Sequence, residues 1–185
     1  MISMSRQLLY LFGEPGTGKI TVARILQKRL GWKLFWLHDL DKVCAIVDRY
    51  PLPRLMDKIS LDVLEELMAE GQDLIYVRPS RDVQTREGVR DLADLNSYVT
   101  YSICLWASYD TLVDRIESRE NGSALRISSK QGLDEYLSTR VPTLVVASEY
   151  LVHTENCIAA EVADEILDSI QIRTNDRLNL PWVSQ

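Results

Sequence analysis

The sequence predicts a single α/β domain in which helices cover both faces of a largely parallel sheet. Strand-like and helix-like segments alternate from one end of the chain to the other, which is the signature of strands joined by helical crossovers. A glycine-rich stretch links the first apolar run to an amphipathic one, as expected where a strand turns into a helix over a bound anion. The length of 185 residues suits one core.

Residues 8–12 form the first predicted strand, followed by the glycine-rich loop. A helix from 18 to 30 carries Val22, Ala23, Ile25, Leu26 and Leu30 on one face and stops at Gly31. Residues 33–37 read as the second strand, ending at His38, Asp39, Leu40 and Asp41, with helix after it until Tyr50, where Pro51 and Pro53 interrupt. A helix over 60–70 takes Ser60 as its N-cap and turns at Gly71. The third strand is 74–77, broken by Pro79, and residues 81–95 alternate charge and apolar groups at helical period. Residues 101–107 make the fourth strand, and Asp110 caps a helix reaching Arg119. Residues 120–132 have loop composition, which predicts a mobile lid. A short fifth strand over 150–152, a closing helix over 159–170 and a weakly specified tail over 171–185 complete the chain.

Composition narrows the function classes. The chain is 46% hydrophobic and 26% charged, as in ordinary globular proteins. Its apolar runs are too short to cross a bilayer, and residues 1–7 lack the apolar core of a signal peptide, so a cytoplasmic protein with no membrane partner is expected. A net charge of −6 argues against nucleic acid as the partner while leaving room for a local phosphate site. Cys44, Cys104 and Cys157 are widely spaced, with no C-x-x-C pair, and read as reduced structural thiols.

The chemistry concentrates in GEPGTGKIT, residues 13–21. Gly13, Gly16 and Gly18 permit a tight loop whose backbone N–H groups point inward, and the following helix adds the positive end of its dipole. Lys19 supplies a point charge for the outer phosphates of a nucleotide. In the pattern G-x-x-x-x-G-K-[ST] the last residue is a hydroxyl that helps hold Mg²⁺, whereas Ile20 stands there and the hydroxyl follows at Thr21. With Pro15 in the loop and Thr21 displaced, the stretch resembles the phosphate loop of nucleoside monophosphate kinases such as adenylate kinase, G-x-P-G-x-G-K-G-T, departing from it at Ile20. The resemblance implies that residues 13–21, including Glu14 and Thr17, bind ATP, with Thr21 near Mg²⁺, in a three-layer P-loop kinase with a five-stranded parallel sheet ordered 2-3-1-4-5.

Asp39 and Asp41 follow the second strand at the carboxyl end, where open sheets bind ligands. They resemble the D-x-D of shikimate kinase and related small-molecule kinases, which implies that Asp39 assists Mg²⁺ and Asp41 binds or deprotonates the acceptor hydroxyl. Either could instead cap the next helix. The third strand ends in Tyr76-Val77-Arg78 without the acidic residue of many motor-type ATPases.

Arg78, Arg81, Arg86 and Arg90 follow that strand, where monophosphate kinases hold the acceptor phosphate; Arg78 and Arg81 are the acceptor candidates, and a solvated helix face is the alternative. Arg115 and Arg119 lie four apart before the lid, as in the R-x-x-x-R helix of P-loop kinases. That likeness implies Arg115 near ATP, Arg119 at the transferred phosphate and Arg126 of the lid near the substrate. Glu155 and Asn156 correspond to the loop beside adenine, with helix capping as the alternative. His38 and His153 are isolated and read as structural. The expected activity is transfer of the γ-phosphoryl group of ATP, with Mg²⁺, to a nucleoside monophosphate or hydroxyl metabolite by a monomer or homodimer. A regulatory nucleotide-binding ATPase and a nucleic-acid end kinase remain the alternatives.

Overall fold

The computed structural model describes residues 6–36, 53–79, 83–118, 127–138 and 150–178, and for 53–57 and 171–178 the backbone alone. The predicted helix up to Tyr50, together with His38, Asp39, Asp41, Cys44, Arg81, Arg119 and Arg126, lies outside these residues.

The first strand, β1 (Arg6–Gly13), is the centre of the sheet. Its run from Leu8 to Phe12 is fully buried, which requires cover on both faces. Parallel neighbours flank it: β3 (Leu74–Val77) on one side and β4 (Tyr98–Trp106) on the other. Beyond β3 lies β2 (Lys33–Trp36), and beyond β4 lies β5 (Tyr150–His153), giving the predicted order β2-β3-β1-β4-β5.

Six helices are described: α1 (Lys19–Leu30), α2 (Pro53–Ala69), α3 (Val83–Leu95), α4 (Tyr109–Glu117), α5 (Lys130–Ser138) and α6 (Ala159–Leu178). Alternation along the strands splits the apolar residues between two cores. Leu9, Leu11, Ile75 and Ile103 pack with Val22 and Leu26 of α1 and Val162 and Ile166 of α6. Leu8, Tyr10, Phe12 and Tyr76 pack on the opposite face with Leu64 and Met68 of α2 and Val89 of α3. The result is the three-layer arrangement expected, with every strand's carboxyl end on one side. No helix among the described residues is long and apolar enough to cross a membrane.

Several element limits differ from the sequence reading, each for a physical reason. Helix α2 begins at Pro53, because proline's fixed φ and missing N–H suit the first helical position; Ser60 is therefore a buried mid-helix residue, not an N-cap. Strand β4 starts at Tyr98, since Arg6 and Gln7 of β1 extend the pairing to Tyr98 and Val99. Ser108, not Asp110, occupies the N-cap position of α4, and Asp110 sits in the first turn, where a carboxylate complements the dipole. The segment read as loop through Gly132 gives way to α5 at Lys130: Ser129 Oγ accepts the Gly132 N–H at 3.1 Å, so a serine that looked like loop composition is a cap. Helix α6 continues to Leu178, because no glycine or proline intervenes before Pro181.

Candidate active site

The loop between β1 and α1 is shaped by backbone requirements that only glycine meets. At Gly13, with φ +142°, a Cβ would stand 2.2 Å from the Leu105 carbonyl oxygen of β4. At Gly16, with φ +96°, it would meet Leu112 Cδ2 at 3.0 Å. The loop thus lies against both β4 and α4. Thr17 is buried and donates its hydroxyl to the Glu14 carbonyl at 2.9 Å, closing the turn, and its N–H reaches the same oxygen at 3.3 Å.

Lys19 Nζ donates to the Glu14 carbonyl at 2.7 Å and to Thr17 Oγ1 at 3.3 Å, so the ammonium lies across the loop. Gly18 precedes α1 in a left-handed conformation, which starts the helix behind the loop and adds its dipole to the site. Pro15 and Ile20 are half-buried, and Thr21 is exposed on the first turn of α1. A loop, lysine and helix N-terminus arranged in this way can hold a triphosphate.

Across β3, the buried Arg78 donates its backbone N–H to the Leu11 carbonyl at 3.0 Å, which sets it beside the last residues of β1. Its guanidinium lies 3.5 Å from both Ser60 Oγ of α2 and the Tyr76 hydroxyl. Arg86 of α3 is also buried, with its Cζ 4.8 Å from the centre of the Phe12 ring. Stacked rings run beneath this region: Phe35 on Tyr76 at 5.2 Å and Tyr76 on Tyr10 at 5.4 Å.

On the other flank, α4 is bound to the segment after β5. Glu155 Oε1 accepts the Ser108 N–H at 2.6 Å and the Thr111 hydroxyl at 3.3 Å. Hydrogen bonds from Ser108, then Thr111, with the nearby His153, hold its carboxyl below the usual carboxylate range against partial desolvation. Arg115 donates one N–H to Thr154 Oγ1 at 2.9 Å and another to the Thr154 carbonyl. Asn156 is exposed at φ +56°, in the left-handed region that asparagine tolerates. Glu155 does cap a helix, but it is α4 and not the helix that follows it; α6 is served by Glu161, which accepts the Ile158 N–H at 3.0 Å.

The structure therefore gathers Gly13 to Thr21, Arg78, Arg115 and Asn156 at the carboxyl side of the sheet. Ser60, Tyr10, Tyr76, Thr154 and Ser108 were not among the sequence candidates. The signal available for Tyr10 was a polar-tipped ring in an otherwise apolar strand, and for Thr154 a hydroxyl immediately after the last strand. Among the described residues no group of three His, Cys, Asp or Glu could hold a metal ion. Of the two residues expected to serve Mg²⁺, Thr21 is exposed on α1 and Asp39 lies outside the described residues.

None of the known protein-family models matches the sequence. The chain is 25% identical over 174 residues to a shikimate kinase of Thermodesulfovibrio yellowstonii, covering 91% of this chain and 98% of that protein. It is also 54% identical over 35 residues to a candidate adenylate kinase of Methanosarcina mazei, which is 19% of this chain and 18% of that protein. Among solved structures, a gluconokinase from Sinorhizobium meliloti superposes with a TM-score of 0.70 at 16% identity, covering 95% of this chain and 98% of that one. That likeness establishes the fold, and the chain resembles P-loop small-molecule kinases.

Proposed function

We propose that this chain is an ATP-dependent phosphotransferase that moves the γ-phosphoryl group to a hydroxyl or phosphate of a small acceptor. The observation that carries this reading is the phosphate cradle at the carboxyl end of the central strand, with Lys19 lying across it. Similarity over nearly the full length to a shikimate kinase supports the reaction class.

In this reading Lys19 and the loop amides neutralise the β- and γ-phosphates, and the α1 dipole adds to that field. Mg²⁺ comes with the nucleotide, supported by Thr21 and Asp39. Asp41 orients the acceptor hydroxyl and takes its proton, and Arg119 neutralises developing charge from the segment after α4. The segment of the expected lid that precedes α5, about 120–129, then excludes water.

Arg78, with Ser60 and Tyr76 around it, marks the acceptor side, with Arg81 and Arg126 as further contacts. A guanidinium there suits an acceptor that carries a carboxylate or phosphate.

The test is ADP release from Mg²⁺-ATP against nucleosides, nucleoside monophosphates, shikimate, gluconate, neutral sugars and amino-hydroxyl antibiotics, with Lys19→Met as the blank. Stimulation by an anionic acceptor is expected. ATP binding with no stimulation by any of them would overturn the kinase reading in favour of a regulatory ATPase. In Arg78→Met the KM for the stimulating acceptor should rise about tenfold or more while the KM for ATP stays put. An unchanged acceptor KM would remove Arg78 from the site.

A further inference from the structure

The two connections on the β4–β5 side are fused by a set of side-chain and backbone hydrogen bonds. Thr154 donates its N–H and its hydroxyl to the Trp106 carbonyl, at 2.9 and 3.1 Å, tying the end of β5 to the end of β4. The same hydroxyl accepts from Arg115, in the last turn of α4, and the Thr154 carbonyl accepts from Arg115 as well. The next residue, Glu155, holds the opposite end of α4 through Ser108 and Thr111. Two consecutive residues after β5 therefore grip one helix at both ends. Between these grips lies Leu112, whose side chain and backbone back Gly16 of the phosphate loop.

We infer that Thr154 and Glu155 are positioning residues for the nucleoside half of ATP, acting by locking α4 and the segment after β5 into one rigid wall beside the phosphate loop. The inference rests on the kinase reading above. In-line transfer places acceptor and nucleoside at opposite ends of the triphosphate. With Arg78 and Ser60 on the β3 side, the nucleoside extends over β4 and β5, where Arg115 and residues 154–158 stand. Neither Thr154 nor Glu155 needs to touch the nucleotide. Thr154 fixes the plane of the Arg115 guanidinium, and Glu155 fixes the start of α4.

The expected signature is a loss confined to ligands that carry a nucleoside. Direct binding of ATP and of inorganic tripolyphosphate to the full chain, by calorimetry, reads this without turnover. Thr154→Val and Glu155→Met, which remove the gripping oxygens, should each weaken ATP about tenfold, the scale of one or two lost hydrogen bonds, and leave tripolyphosphate within twofold of wild type. Thr154→Ser, which keeps the hydroxyl, should restore ATP affinity, and Lys19→Met should weaken both ligands. Unchanged ATP affinity in both variants would overturn the inference. Equal weakening of ATP and tripolyphosphate would also overturn it, because the wall would then act only on the phosphate loop. A wild-type protein that binds ATP yet transfers to no acceptor would defeat the kinase reading while these binding ratios still decide the role of the wall.

Discussion

Lys19 is the residue on which the proposed chemistry turns, because its ammonium already spans the loop through Glu14 and Thr17. Lys19→Met keeps most of the stem and removes the charge, so turnover should fall by roughly 10²–10³ or more with the fold intact, as read by steady-state kinetics beside circular dichroism. Asp41→Asn should lose transfer and retain ATP binding; an active variant would remove Asp41 as the base. Glu155 makes a prediction about pH. Its carboxyl titrates below the usual range in the folded protein, so its hydrogen bonds contribute stability that is present above the unfolded carboxylate value and lost as pH falls through the folded one. The difference in Tm between wild type and Glu155→Gln should therefore shrink on acidification below about pH 4. A difference that stays constant from neutral to strongly acid pH would show that the charge contributes nothing.

At the scale of elements, the clearest requirement lies where β1 enters the phosphate loop. Gly13→Ala drives a Cβ to 2.2 Å from the Leu105 carbonyl oxygen, so backbone at the end of the β1–β4 pairing must shift to accept it. Gly18→Ala meets open space and bears only the cost of a left-handed φ, about 1–2 kcal/mol. Denaturant unfolding should rank Gly13→Ala as the more destabilising of the two, and the reverse order would mean that the loop can shift away from β4. The five strands and five of the six described helices were legible in the sequence because periodicity and glycine placement are local signals, as Gly31 shows by closing α1 with its N–H on the Gln27 carbonyl, whereas α5 was hidden by the serine- and glycine-rich stretch that leads into it. The position of Ser60 was not, since proline can end a helix or begin one and only packing of Leu64 and Met68 against the sheet decides which. Likewise the grip of Glu155 on α4 depends on β5 lying beside β4, a juxtaposition that no short window of sequence displays.

At the scale of the whole molecule, ligand and fold are coupled through the central strand. ATP at about 100 times its Kd should add about 2.7 kcal/mol of stability, a rise in Tm of roughly 5–10 °C for a chain of this size. The rise should be largely absent in Lys19→Met, and a wild-type protein whose Tm ignores ATP would argue that the loop binds no nucleotide. The order of the strands also governs how the protein is made. Arg6 at the start of β1 pairs with Tyr98, and the glycine that opens the phosphate loop rests on the carbonyl of Leu105. A chain leaving the ribosome therefore carries its phosphate loop unsupported until Leu105 and the rest of β4 have been made. During that interval β1, apolar on both faces, gains a partner on one edge only once β3 is made, and the edge that β4 covers stays open. Slow translation ahead of β4 would prolong the period in which this strand can pair with a stranger, so yield of active protein should depend on the speed of that stretch as well as on the stability of the finished fold.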